Sequence, residues 1–423
     1  MKVFKFGGAS VRDAASVRNV AHILKEYKNE KLFVVISAMG KTTNALEEFT
    51  KALYVNLEDA NKLLTQIKAY HFAILNELFQ NPNHAVFTDI HNAFVELDWM
   101  LDQAPEQTFD HTYDQVVSMG EILSTKIVSH YLNHDGVANK WIDVRDFIRT
   151  DNNYREAKVD WEATELLYNN SKERYFNGQN NICITQGFIG GTSENFTTTL
   201  GREGSDYTAS IIAFLCNAAQ VTIWKDVAGV MNADPKKFND AVLLPHLTYH
   251  DAVELTYYGA TVIHPKTIKP IQNKNIPLYV RSFLNFHESG TVINNLPGHS
   301  EQACFIHKPD QLLLSISGKD FSFIVEDSIS KIFAVLASFR IKVNLMQNSA
   351  LSCSLCIDNT SKRAAIIEEF AKDFYLKYND GLELFTVRYY DAESINKLIK
   401  SKEIILEQRS RNTLQLVVKN STQ

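Results

Sequence analysis

The chain opens with alternating polar and apolar residues over Lys2–Phe6 and breaks at Gly7-Gly8. Apolar positions then recur every three or four residues, at Val17, Val20, Ala21, Leu24 and Tyr27, which predicts an amphipathic helix. Leu32–Ile36 is an uninterrupted apolar run, the pattern of a strand covered on both faces. Strand, loop, helix, strand is the unit of an α/β fold. From Asn44 to about Asp102 the pattern is helical with few breakers, and another helix is expected over Tyr113–Tyr131. Strand-like runs resume at Ile182–Gln186 and Val221–Trp224, with a helix over Asp206–Cys216 between them and a further strand at Ile276–Val280. Residues 1–295 thus read as one α/β domain with a mainly parallel sheet sandwiched by helices.

Turn formers crowd Asn294–Ser300, and a linker is expected over residues 296–310. After it come a strand (Leu312–Ser317), a helix (Ser328–Phe339), two strands (Lys342–Gln347, Leu351–Ile357), a helix (Ala364–Tyr378) and a strand (Leu382–Tyr389). That βαββαβ order is a ferredoxin-like α+β unit. A helix at Glu393–Lys400 and strands at Ile404–Gln408 and Thr413–Val418 make a partial second unit, expected to close its sheet on Leu312–Ser317 or its neighbour. Residues 311–423 are therefore expected to hold one full unit and part of another.

Composition narrows the function. The 423 residues are 45% hydrophobic and 22% charged, ordinary for a globular protein of two or three domains. With 43 basic against 49 acidic residues the net charge is −6, which points away from nucleic acid and anionic membranes. The start, MKVFKFGGAS, lacks the apolar core of a signal peptide, and no apolar run reaches 18 residues, so a cytoplasmic protein without a membrane span is expected. Five scattered cysteines fit a reducing compartment, and Cys353 and Cys356, despite their C-x-x-C spacing, read as part of a buried strand. His246 and His250 lack a third ligand, and no metal site is expected there.

Three segments carry chemistry. Lys5-Phe6-Gly7-Gly8-Ala9-Ser10 places a glycine turn between a strand and a helix, where backbone N–H groups can approach an anion and Lys5 adds charge; a plain tight turn would look the same. It is not a Walker-type loop. Thr197–Asp206 leads a hydroxyl-rich run through Gly201-Arg202-Glu203-Gly204 to Ser205-Asp206. Arg202 could fork onto a carboxylate, while Ser205 or Asp206 could be no more than a helix cap. Trp224–Pro235 follows a strand, where open α/β sheets bind ligands, and its Gly229 and Asp234-Pro235 would also suit a simple connection.

These segments, together with Glu254–Pro265 (ELTYYGATVIHP), resemble in order and spacing the amino-acid kinase superfamily, and within it the aspartate kinases that carry C-terminal ACT domains. The resemblance covers essentially the whole chain. It implies transfer of phosphate from ATP, with Mg²⁺, to the β-carboxylate of L-aspartate, giving 4-phospho-L-aspartate and ADP, the first step toward lysine, threonine and methionine. It implies feedback through the ACT region by lysine or threonine, and a homodimer formed there. A non-catalytic amino-acid sensor with a weakened kinase site is the alternative. With the chain stopping at Gln423, no fused homoserine dehydrogenase is expected.

Roles follow position by position from the resemblance. Lys5 and Asp206 are the expected catalytic pair, with Asp206 orienting the lysine. Ser37, Thr43, Glu121, Phe188, Arg202 and Ser205 fall at the aspartate site, Glu121 meeting the α-ammonium and Arg202 a carboxylate. Lys5, Gly7, Gly8, Ser10, Lys225, Asp226, Met231 and Lys236 fall at the nucleotide. Ser317, Asn344, Gln347 and Asn348 fall where effectors bind, and His264 is expected to be structural. Three residues depart from the family pattern: Glu203 and Lys225 replace a usual glycine and threonine, and Thr261 replaces a usual lysine. A carboxylate at 203 would repel aspartate unless it points elsewhere. Lys225 or Lys236 could restore the charge missing at 261.

Overall fold

The computed structural model describes residues 1–102, 105–176, 180–260, 263–296, 302–320, 322–399 and 402–420. They divide into two compact units. The first comprises Met1–Val230, Leu243–Val253 and Ile263–His299; the second comprises Met231–Val242, Glu254–Val262 and Ser300–Gln423. The chain passes between the two units five times, the last time after His299, close to the expected boundary near residue 295. Met231 and Lys236 fall in the second unit, and Thr261 lies outside the described residues.

The first unit begins β1 (Lys2–Phe6), α1 (Ala14–Glu26), β2 (Leu32–Ile36). The long helical stretch resolves into α2 (Thr42–Leu53), α3 (Leu57–Leu78) and α4 (Ala85–Trp99), followed by α5 (Phe109–His134). Next come β3 (Asn139–Trp141), α6 (Trp161–Ser171), β4 (Ile182–Gln186), β5 (Ile189–Gly191), β6 (Thr197–Thr199), α7 (Gly204–Cys216) and β7 (Gln220–Lys225). The chain continues with β8 (His246–Thr248), α8 (Tyr249–Tyr258), α9 (Pro265–Asn273), β9 (Leu278–Ser282) and β10 (Thr291–Asn294). Eight strands form one sheet in the order β3-β4-β2-β1-β7-β9-β10-β8, and only the β9–β10 pair is antiparallel. Every residue of β2 and β4 is buried, as a parallel strand covered on both faces requires. The strand expected at Ile276–Val280 sits two residues later, because Pro277 precedes it and only from Leu278 on does the chain pair with β7.

The second unit is built on a six-stranded antiparallel sheet. Its elements are β11 (Cys304–Gly318), α10 (Glu326–Ser338), β12 (Val343–Asn348), β13 (Ser352–Asp358), α11 (Arg363–Asp373), β14 (Phe374–Arg388), α12 (Ala392–Ile399), β15 (Lys402–Arg409) and β16 (Thr413–Asn420). The strand order is β12-β13-β11-β14-β16-β15. Two expectations shift. Residues 304–310 of the expected linker are strand, and α11 ends at Asp373 rather than Tyr378 because Phe374–Tyr378 pairs with Leu314–Gly318. The aromatic side chains of Phe374, Tyr375 and Tyr378 favour the pleated strand over another helical turn.

β11 and β14 are each 15 residues long, and both halves of the sheet use them. Their pairing shifts register around Pro309-Asp310, where Asp310 is left-handed (φ 50°). Beyond that irregularity, Cys304–Lys308 and Leu384–Arg388 pair with each other and β14 continues onto β16. The incomplete second unit thus closes on the stretch just before Leu312. Leu313, Leu345, Cys356, Leu382, Leu384 and Val417 form one apolar cluster, although β12 and β16 lie far apart in the strand order; the sheet folds over on itself around them. Cys353 and Cys356 are buried in β13, and desolvation pushes the Cys356 thiol up to about 12, so the C-x-x-C pair is core.

Candidate active site

Parallel strands β2, β1 and β7 end side by side, with β4 next to β2, so their following loops gather at one sheet edge. After β1 the chain enters a short 3₁₀ turn, Gly8–Val11, with Gly7 extended before it. A Cβ on Gly8 would lie 2.8 Å from the carbonyl oxygens of both Ala38 and Gly40, so only glycine fits. Gly40 N–H donates back to Gly8 O at 3.0 Å, which ties the β1 loop to the β2 loop. Ser10 is buried and its Oγ has no partner among the described residues. The glycine cradle and this orphaned hydroxyl fit a phosphate group, with Lys5 beside them.

Lys5 and Asp206 meet: Nζ lies 2.7 Å from Oδ1, with 12% and 4% of the side chains exposed. Asp206 stands in the first turn of α7, where the helix dipole favours an anion. Ser205 precedes it, packed against Gly187 so closely that a Cβ at 187 would fall 2.4 Å from that of Ser205. Phe188, left-handed at φ 71°, donates its N–H to Thr208 Oγ1 at 3.0 Å and lays its ring against Gly204. The β4 and α7 loops are therefore interlocked.

Glu121 projects from the middle of α5 and is 2% exposed. Its Oε1 accepts the Ala38 N–H at 3.3 Å, while Oε2 is buried without a partner among the described residues. Burial pushes its carboxyl up to about 8, only partly opposed by the Ala38 hydrogen bond and the charge of Lys5. Among the described residues no cation is hydrogen-bonded to the Glu121 carboxyl. Ser37 and Thr43 are half-buried in the β2–α2 segment, and Ser124 of α5 donates to Ser37 O at 2.7 Å.

Arg202 is exposed, on a loop between left-handed Gly201 (φ 77°) and Glu203 (φ 52°). The carboxylate of Glu203 does not hang free: Oε2 accepts the His264 N–H at 2.9 Å. Lys225 is half-buried at the end of β7 and Asp226 is exposed beyond it. In the second unit Met231 is half-buried and Lys236 exposed.

Asp114 escaped the sequence reading. Wholly buried on α5, it accepts from Thr199 N–H and Thr199 Oγ1, both at 2.8 Å, and from Arg155 N–H at 2.9 Å. Burial pushes it up to about 6. It anchors the strand that delivers the Arg202 loop. Its signal was faint, one acid in the otherwise apolar stripe around Tyr113, Val116 and Val117.

The four residues expected at an effector site lie on β11 and β12 of the second unit. Asn344 is committed inside the second unit, accepting from Lys308 Nζ and donating to Gln311 Oε1 and Asp358 Oδ1, each at 2.8 Å. Ser317 Oγ donates to Tyr375 O at 3.4 Å, and Gln347 and Asn348 are exposed at the end of β12. Among the described residues, no group of three or more histidine, cysteine or acidic side chains converges as a metal site. No helix among them is long and apolar enough to cross a membrane.

A mainly parallel sheet whose strand ends gather a glycine turn, a lysine held by an aspartate and a buried acid defines an α/β protein with a candidate phosphate-binding site. Residues 1–282 match the amino acid kinase family, and the chain belongs to it. It is similar to the lysine-sensitive aspartokinase 3 of Escherichia coli (strain K12), 32% identical over 363 residues that make up 85% of this chain and 78% of that one. It is also similar to a chloroplastic bifunctional aspartokinase/homoserine dehydrogenase 2 of Arabidopsis thaliana, 34% identical over 300 residues, 70% of this chain. The chain spans about a third of the length of that relative (32%). Among solved structures, E. coli aspartokinase III in complex with lysine and aspartate superposes with a TM-score of 0.84 and 27% identity, over 100% of this chain and 96% of that one.

Proposed function

We propose that this chain phosphorylates the β-carboxylate of L-aspartate with ATP, yielding 4-phospho-L-aspartate and ADP. The observation that carries the reading is Glu121: a buried carboxylate with one oxygen unpartnered is costly unless a cation reaches it, and the α-ammonium of an amino acid is such a cation. The acceptor carboxylate is ionised near neutral pH and needs no general base. What the site must supply is charge neutralisation and in-line placement. Lys5, steadied by Asp206, faces the transferred phosphoryl. Gly7, Gly8 and Ser10 hold the phosphates, with Lys225, Asp226, Met231 and Lys236 on the nucleotide-binding segments. Arg202, Ser205, Phe188, Ser37 and Thr43 hold the acceptor. Mg²⁺ arriving with ATP supplies further positive charge at the phosphates.

The second unit is proposed as an ACT-type regulatory region that takes lysine or threonine as feedback effector and pairs with a second copy. Its βαββαβ order supports this, as do its exposed Phe323, Val325, Leu351 and Tyr375. The protein is proposed to work in the cytoplasm at the head of lysine and threonine synthesis. The sensor-only alternative drew on Glu203 and Thr261; the Glu203 carboxylate is engaged by the His264 N–H, and Thr261 lies outside the described residues.

The test is direct. The purified chain is incubated with Mg-ATP and a panel of amino acids, and acyl phosphate is trapped as hydroxamate. Signal with aspartate alone supports the proposal; signal only with another acceptor, or none, overturns it.

A further inference from the structure

Leu200–Gly204 turns the chain from β6 into α7, and two of its residues are left-handed, Gly201 and Glu203. Glycine adopts that conformation freely, whereas a glutamate is strained in it. The chain thus retains a backbone shape suited to glycine while carrying a long acidic side chain there. Something must offset the strain, and the geometry shows what does.

His264 caps the start of α9, and its Nδ1 accepts the Lys266 N–H at 3.2 Å. Its own N–H points out of that helix and is taken by Glu203 Oε2 at 2.9 Å. In a capping box an acid within the same helix performs this task; here the acid comes from the start of α7. The carboxylate also sits at the positive end of the α9 dipole. Arg202 is adjacent, and among the described residues its guanidinium has no hydrogen-bond or ion-pair partner. Where its side chain leaves the backbone is therefore set by a loop with two left-handed residues and one side-chain tether.

We infer that Glu203 is a positioning residue: by holding His264 N–H it fixes the Arg202 loop in the orientation that meets the carboxylate of the acceptor. The inference rests on the aspartate reading above. It makes the opposite prediction to simple electrostatics. If Glu203 acted as a bare negative charge near the site, its removal would tighten binding of anionic aspartate. If it acts as a tether, its removal loosens Arg202 and weakens that binding. Glu203→Gln separates the two, since it loses the charge and keeps an acceptor oxygen.

The experiment compares the full chain with Glu203→Gln, Glu203→Ala and Glu203→Gly. Steady-state hydroxamate kinetics are run against aspartate and ATP, and exchange of the His264 amide hydrogen is followed in parallel. The expected result is an aspartate KM raised roughly five- to tenfold in the Ala and Gly variants, with kcat within about twofold and the ATP KM unmoved. His264 exchanges at least about tenfold faster in both, and the Gln variant stays near the parent in every respect. An aspartate KM that is unchanged or lowered in Ala and Gly, or a Gln variant that behaves like Ala, overturns the inference. If the parent gives no hydroxamate with aspartate, the aspartate reading fails separately. The exchange comparison then decides the tether alone, and equal rates in all four proteins refute it.

Discussion

Lys5 Nζ and Asp206 Oδ1 lie 2.7 Å apart in a nearly dry setting, one from the central strand and the other from the first turn of α7. Breaking a buried pair by removing one partner leaves an uncompensated charge, at a cost of about 3–5 kcal/mol. Lys5→Ala is expected to lower turnover by roughly 10²–10³-fold and to lower stability as well. Adding Asp206→Asn to it should recover much of the stability and none of the turnover. Denaturant titrations beside hydroxamate rates check both; a double variant no more stable than Lys5→Ala would show that the pair is not acting as a buried charge pair.

The Glu121 carboxyl, pushed up to about 8 by burial, binds its proton more tightly in the folded chain than in the unfolded one, where its ordinary value is 4.5. Its contribution to stability is therefore fully present below that ordinary value and is lost as pH rises toward 8. Aspartate needs the ionised form, so its KM should climb as pH falls below about 8, approaching tenfold per unit. Glu121→Gln should bind aspartate poorly at every pH and show a flatter stability profile across the same interval. An aspartate KM independent of pH from 6 to about 8 would contradict the assignment.

Gly8→Ala should raise the ATP KM by more than about tenfold, because the added Cβ meets two backbone oxygens at 2.8 Å and neither can move without shifting a loop. Gly136→Ala is the control. It is left-handed (φ 79°) with open space around it, so it should cost about 1 kcal/mol of stability and leave kinetics alone. Circular dichroism and ATP titrations distinguish the two.

In the second unit Phe323 and Tyr375 are 66% and 60% exposed. On the proposed pairing with a second copy, Phe323→Ser with Tyr375→Ser should shift sedimentation from dimer toward monomer while leaving the fold of the unit unchanged. A sedimentation coefficient identical to that of the parent would locate any pairing surface elsewhere.

Much of this was legible beforehand. β2 announced itself because a doubly covered strand is apolar throughout, and Gly8 because the cradle tolerates no Cβ there. The pairing of Lys5 with Asp206, 201 residues apart, came from the family resemblance rather than from local pattern. What stayed hidden was what neighbours decide. Asp114 looks like any helical acid until Thr199 and Arg155 arrive. Glu203 looked like a repulsive charge because the sequence does not say where its side chain turns. The hydrogen bonds of Asn344 to Lys308, Gln311 and Asp358 are likewise made by neighbours distant in sequence. The 15-residue strands look shorter in sequence because residues 304–310 resemble a linker and Phe374–Tyr378 continues a helical pattern, whereas both stretches pair in one ladder.

Those two long strands constrain inheritance. Each half of the folded sheet takes its central strands from β11 and β14, so neither half is a contiguous cassette in the sequence. A recombination that exchanged residues 311–380 alone would bring in half of each strand and join it to a foreign other half. It would preserve pairing only if the offset at Asp310 matched to the residue. The two halves must therefore be passed on, and diverge, as a single block.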